Sequence, residues 1–128
     1  MYIEILKSKI HRATITDACL DYEGSISIDR ILMNAANIQE NEKVHIFNVT
    51  NGNRLVTYVI PALENSGEIC VNGAAAHLME KNNIIIIAAF GTINKEEAHN
   101  YSCKKIYVDK QNKIISSASY SGNLINDK

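Results

Sequence analysis

From residue 25 to 29 polar and apolar side chains alternate strictly, the period-two signature of a strand with one buried face. Partial alternation, rich in β-branched and aromatic residues, also runs through 2–8, 12–20 and 43–50. Asn51-Gly52 follows the last of these directly and predicts a tight hairpin with positive φ at both turn residues. The returning strand is 54–60, ended by Pro61. Further strands are predicted at 68–73 and 84–93, and 104–116 reads as a late hairpin. The run 84–90 is continuously apolar and far too short to span a bilayer, so it reads as a buried strand. Two stretches predict helix: 29–38, which Asp29 can cap, and the alanine-rich 73–80. The polar residues 117–128 read as a frayed tail. Many short strands with one or two short helices predict a mainly β fold closed into a small barrel, because closure removes sheet edges. Residues 1–128 form one domain, without linker, repeat or low-complexity segment.

Composition narrows the function by exclusion. With 13 basic and 14 acidic residues the chain has a net charge of -1, which gives no electrostatic case for nucleic acid or an anionic membrane as partner. Cys19, Cys70 and Cys103 form no CxxC, and an odd count suits reduced thiols in a cytoplasm; each is expected to be a small buried apolar side chain. No signal peptide is read, so the expected location is cytoplasmic. A phosphate-binding glycine loop, a dinucleotide fingerprint, HExxH and paired-Cys zinc spacing are all missing, and the four histidines are too scattered for a metal cluster. Nothing resembles a hydrolase nucleophile elbow. Locally, Gly24-Ser25 reads as a turn between two strands.

The order of segments changes that reading. KSKIHRATIT (7–16), YEGSISID (22–29), ENEKVHIFNVTNGNRLVTY (40–58), VNGAAAH (71–77) and IIIIAAF (84–90) follow one another along the chain. Together they closely resemble the pyruvoyl-dependent aspartate decarboxylases, which make β-alanine for pantothenate synthesis; the resemblance covers roughly residues 1–100. It implies a double-psi β-barrel assembled as a homotetramer, with active sites between neighbouring subunits. It implies self-cleavage between Gly24 and Ser25 into chains 1–24 and 25–128, with Ser25 converted to a pyruvoyl group. The cofactor then comes from the chain itself, and neither a metal nor pyridoxal phosphate is expected. L-aspartate is the implied substrate, and the need for an accessory maturation protein stays open. Lys9, His11, Tyr22, Arg54, Thr57, Tyr58, Asn72 and the Gly73-Ala74-Ala75 backbone match the family's pocket pattern. Phe47 stands where many members carry tryptophan, keeping the aromatic wall but losing an indole N–H donor. The chain beyond about residue 100 supports no site residue.

These residue types suit the implied chemistry. Attack of the Ser25 hydroxyl on the Gly24 carbonyl turns an amide into an ester; Gly24 is expected to supply unusual backbone geometry and stored strain, and Thr57 a donor for the oxyanion. Loss of the Ser25 α-proton then expels the Gly24 carboxylate and leaves dehydroalanine, which hydrolyses to pyruvoyl with release of ammonia; no base for that step is legible. The new ketone can condense with the substrate amine and accept the electrons of decarboxylation. Arg54 suits a carboxylate because its planar fork binds two oxygens, Lys9 adds a compact positive charge, and Tyr58 is the expected acid that protonates the carbanion carbon. Asn72 and the 73–75 backbone can hold the substrate, with the start of the predicted helix favouring anions. Thr57 and Tyr58 are neighbours on one strand and should face opposite sides, which fits a pocket shared by two subunits or a bulged strand; the resemblance favours the first. Two other readings stay open: a non-catalytic β-barrel interaction module, and a pyruvoyl decarboxylase for another amino acid such as glutamate.

Overall fold

The computed structural model describes residues 1–120. Nine strands form one hydrogen-bonded sheet: β1 (Tyr2–Thr14), β2 (Asp17–Cys19), β3 (Ser25–Asp29), β4 (Lys43–Asn48), β5 (Arg54–Ala62), β6 (Ile69–Asn72), β7 (Ile84–Asn94), β8 (Cys103–Val108) and β9 (Ile114–Tyr120). Their spatial order is β2-β6-β3-β5-β4-β7-β1-β8-β9. One helix, α1 (Arg30–Ala36), and two 3-10 turns, Gly73–His77 and Lys95–Asn100, complete the mainly β architecture. Pairs β1·β8, β2·β6 and β3·β5 are parallel and the rest antiparallel. The inward faces contribute Ile10, Ile26, Ile28, Val44, Ile46, Val59, Ile69, Ile85, Ile87 and Ile106 to a single core. Among the described residues no helix is long and apolar enough to cross a membrane.

The chain departs from its sequence pattern in several places, each for a local reason. Strands expected at 2–8 and 12–20 are one long strand, β1, and a three-residue β2. The break in alternation comes from two register shifts, between Leu6 and Ser8 and between Ile10 and Ala13, with Arg12 at φ 64° inside the second. The hairpin expected at Asn51-Gly52 is a wider loop, 49–53, in which Gly52 has positive φ and Asn51 does not. The buried Asn48 side chain draws the loop open by accepting from the N–H groups of Thr50 (2.9 Å) and Asn51 (3.3 Å). Pro61 does not end β5: Val59 turns its N–H to Glu42 at 3.1 Å, so Pro61, two residues on, faces its nitrogen to the same side, where β4 has stopped pairing at Tyr58, and no ladder bond to β3 is lost. The predicted helix at 73–80 is a single 3-10 turn over Gly73–His77. Residues 117–120, expected to fray, belong to β9 and pair with β8; the rest of that expected tail, 121–128, lies outside the described residues.

Asp29 caps α1 as its position predicts, accepting from the Ile31 N–H at 2.8 Å. Buried at 1% exposure, the same carboxylate also accepts from the N–H groups of Asn65 (2.9 Å) and Gly67 (2.8 Å), tying β3 to the loop before β6. Asp29→Ala orphans all three donors at once. Thermal or denaturant unfolding of this variant is expected to show a loss of about 3 kcal/mol or more, whereas loss of the helix cap alone would cost about 1.

Candidate active site

Ser25 opens β3 and is 2% exposed, while Gly24 beside it is exposed in the preceding loop. The peptide between them therefore sits where a loop enters the sheet. Across the antiparallel β3·β6 pair Ser25 faces Asn72, whose Nδ2 donates to Ser25 Oγ at 3.0 Å and to Ser27 Oγ at 3.2 Å. The Cys70 thiol donates to Asn72 Oδ1 at 3.3 Å. Burial pushes the Cys70 thiol up to about 11, with smaller contributions from Asp17, Glu68 and Cys19, so it keeps its proton near neutrality.

Gly73 follows Asn72 at φ 70°, a conformation that favours glycine. A Cβ there would lie 2.7 Å from Gly24 Cα, 2.8 Å from Gly24 N and 2.9 Å from Tyr22 O. Only a residue without a side chain lets the 22–24 loop rest on the strand end. Gly24 itself lies outside the left-handed region, and a Cβ on it would meet nothing within 4 Å. The strain expected at Gly24 is absent; the strict steric demand sits across the loop, at Gly73. Ala74 and Ala75 continue into the 3-10 turn. That turn is five residues long and lacks a side-chain cap, since the Asn72 amide is engaged with the serines, so the expected helical field for anions is not available there.

A cleft of about 310 Å³ opens beside Ser25, lined by Tyr22, Glu23, Gly24, Ser25, Tyr58 and Ile60. Tyr58 reaches it because β5 runs parallel to β3 with Val59 level with Ile26, which puts Tyr58 level with Ser25 on the same face. Thr57 pairs with the buried Val44 and so faces the other side of β5. The β4·β5 register runs unbroken from 43 to 58, so no bulge brings Thr57 and Tyr58 to one face.

Lys9, His11, Phe47 and Arg54 do not line this cleft. Arg54 begins β5 four residues before Tyr58, roughly 13 Å along the strand at about 3.3 Å per residue. Its guanidinium lies 4.9 Å from the ring centroid of Phe47, its partner across β4·β5. Lys9 sits on β1 opposite Ala88 of β7 and Lys105 of β8, four strands from β3 along the sheet. His11 packs edge-on against Tyr107 at 5.5 Å and lines a separate depression with Arg12, Thr14 and Tyr107. Burial, then the charges of Lys9, Arg12 and Lys105, lower its pKa, which favours a neutral imidazole. The predicted site residues thus do not all meet within one chain: Tyr22, Gly24, Ser25 and Tyr58 share the cleft, while Arg54 with Phe47, Lys9 and His11 lie apart from it. The Asn72 partners Ser27 and Cys70 escaped sequence reasoning, although spacings of two on each strand (25 and 27, 70 and 72) already place them on a shared face.

The described residues contain no group of three or more His, Cys, Asp or Glu side chains arranged to hold a metal ion. The model of the aspartate decarboxylase family matches residues 1–115. The chain belongs to the aspartate decarboxylase family. Curated family members named aspartate 1-decarboxylase include that of Acetivibrio thermocellus, 54% identical over 115 residues, which are 90% of this chain and 91% of that protein. The Caldicellulosiruptor bescii relative is 53% identical over 90% of each chain, and that of Myxococcus xanthus 50% identical over 87% and 85%. The family match spans all of the predicted site residues, from Lys9 on β1 to the 3-10 turn after Asn72.

Proposed function

We propose that the chain decarboxylates L-aspartate to β-alanine, with a pyruvoyl group made from Ser25 by cleavage at Gly24-Ser25, and so feeds pantothenate synthesis. The observation that carries this reading is Ser25, buried at a loop-to-strand junction in the lining of a cleft, with its hydroxyl held by Asn72. The site fits such a group: it replaces Ser25 in place, under the Asn72 amide and beside the close Gly24–Gly73 backbone contact. Once formed, it supplies an electrophilic carbonyl and an electron sink for decarboxylation.

In the acyl shift that begins cleavage, Oγ forms a bond to the Gly24 carbonyl carbon, the bond from that carbon to the Ser25 nitrogen breaks, and the hydroxyl proton passes to the released amine; loss of the Ser25 α-proton then expels the Gly24 carboxylate and separates the chains. The Asn72 N–H on Oγ stabilises charge developing on that oxygen as it is deprotonated. Thr57 faces the opposite side of β5 from the cleft of its own chain, so the role the family pattern gives it, donor to the carbonyl oxygen, is proposed for Thr57 of a neighbouring copy. Tyr58 faces the same cleft as Ser25 and is the proposed acid that returns a proton after carbon dioxide leaves. Tyr58→Phe should therefore mature normally, as read by intact mass, while carbon dioxide release from L-aspartate falls by about 10² or more. A Tyr58→Phe protein that stays uncut, or one with unchanged turnover, would refute this role.

Substrate carboxylates need cations, and among the described residues none lines the cleft of one chain. We therefore propose that Arg54 with Phe47, together with Lys9 and His11, completes the Ser25 cleft of a neighbouring copy in a homotetramer. Co-expression tests this directly. Ser25→Ala and Arg54→Ala chains are each expected to be inactive alone, yet mixed assemblies should recover activity, because some interfaces pair an intact Ser25 with an intact Arg54. Mixed assemblies as inactive as either parent would show that both residues serve the same chain.

A further inference from the structure

Cys70 is buried and outside the cleft lining, and among the described residues its thiol donates its hydrogen bond to Asn72. Asn72 is fully buried, so every polar atom of its amide needs a partner from the protein. Its two N–H donors are taken by Ser25 Oγ and Ser27 Oγ, and its Oδ1 is taken by the Cys70 S–H. The two hydroxyls can donate or accept, so they satisfy either orientation of the amide. The thiol cannot: sulfur is a poor acceptor, and a turned amide would aim both N–H groups at that single sulfur. The orientation matters chemically. With N–H on Ser25 Oγ, the hydroxyl proton is uncommitted and the oxygen is stabilised as it becomes nucleophilic. With Oδ1 facing it, the hydroxyl proton would be tied to the amide and charge on Oγ would be opposed.

We propose that Cys70 is a positioning residue for self-cleavage: its S–H holds the Asn72 amide with the N–H face toward Ser25 Oγ. The inference rests on the proposal that Ser25 is processed. Removing the thiol leaves Oδ1 buried without a donor, and the nearest donors remaining are the serine hydroxyls, so the amide gains by turning toward them. Cys70→Ser keeps a donor at the same place, whereas Cys70→Ala does not.

Two readouts on the full-length protein test this. Intact-mass time courses of freshly purified protein should show Cys70→Ala maturing roughly five- to tenfold more slowly than wild type, the effect of one buried hydrogen bond. Cys70→Ser should mature at close to the wild-type rate. The second readout is vibrational: the Cys70 S–H stretching band, assigned by its loss in Cys70→Ala, should lie at the lowered frequency of a hydrogen-bonded thiol and rise in Asn72→Ala. Wild-type maturation in Cys70→Ala overturns the proposal, as does Cys70→Ser slowed as much as Cys70→Ala, the pattern of a packing role. A band unmoved by Asn72→Ala overturns it as well. If wild type itself never cleaves, the pyruvoyl reading falls instead, and the S–H band still decides whether the thiol holds the amide.

Discussion

Ser25→Ala protein is expected to remain a single uncut chain, without decarboxylase activity and without a carbonyl that reacts with a hydrazine probe. The substitution deletes the nucleophile and the atoms that would become the ketone, so both maturation and catalysis lose their starting point. The fold should persist, because Ser25 heads a strand whose ladder to β5 and β6 is made by backbone, and because Asn72 keeps Ser27 and Cys70 as partners. The lost hydrogen bond to Asn72 should lower stability by about 1 kcal/mol, which unfolding curves can read. An active, carbonyl-bearing Ser25→Ala protein would move the chemistry to another residue.

The second large effect is expected at a residue that carries no functional group. Gly73→Ala places a Cβ within 2.9 Å of three backbone atoms of the 22–24 loop, in a backbone conformation that costs an L-residue about 1–2 kcal/mol even without neighbours. Backbone on both sides cannot yield as a flexible side chain would, so the loop must lift away from β6 and carry the Gly24-Ser25 peptide with it. Maturation is expected to fall by about 10² or more, since displacement by an ångström at a reacting centre costs that much. The control is Gly24→Ala, which meets open space and should fold as wild type does. Circular dichroism and intact mass on both variants separate the contact from the chemistry. Equal maturation of Gly73→Ala and wild type would show that the backbone contact has no part in cleavage.

The contrast between these two glycines shows where the sequence was legible and where it was not. The strands around Ser25, the cap at Asp29 and the alternation along β4 and β5 could be read from composition and spacing, because one buried face imposes its period directly. The long β1 could not, since two register shifts and the positive φ of Arg12 break the period without ending the strand. The five-residue loop after β4 was hidden by the Asn-Gly signal, because what widens it is a side chain, Asn48, that binds backbone N–H groups. The same holds for the site. Family resemblance picked out Gly24, Ser25, Tyr58, Asn72 and Gly73, which converge within one chain. It also picked out Lys9, His11, Phe47 and Arg54, but a linear pattern carries no information about which chain completes which cleft. Cys70, expected to be a small buried apolar residue, is buried and also donates a hydrogen bond, a distinction made only by its partner.

The most direct measurement is intact-mass analysis of the purified wild-type protein. Cleavage at Gly24-Ser25 predicts two chains, residues 1–24 and 25–128, with the longer one lighter by one ammonia than simple hydrolysis would leave it. A protein that releases carbon dioxide from L-aspartate while remaining one uncut 128-residue chain would contradict the origin of the cofactor in Ser25.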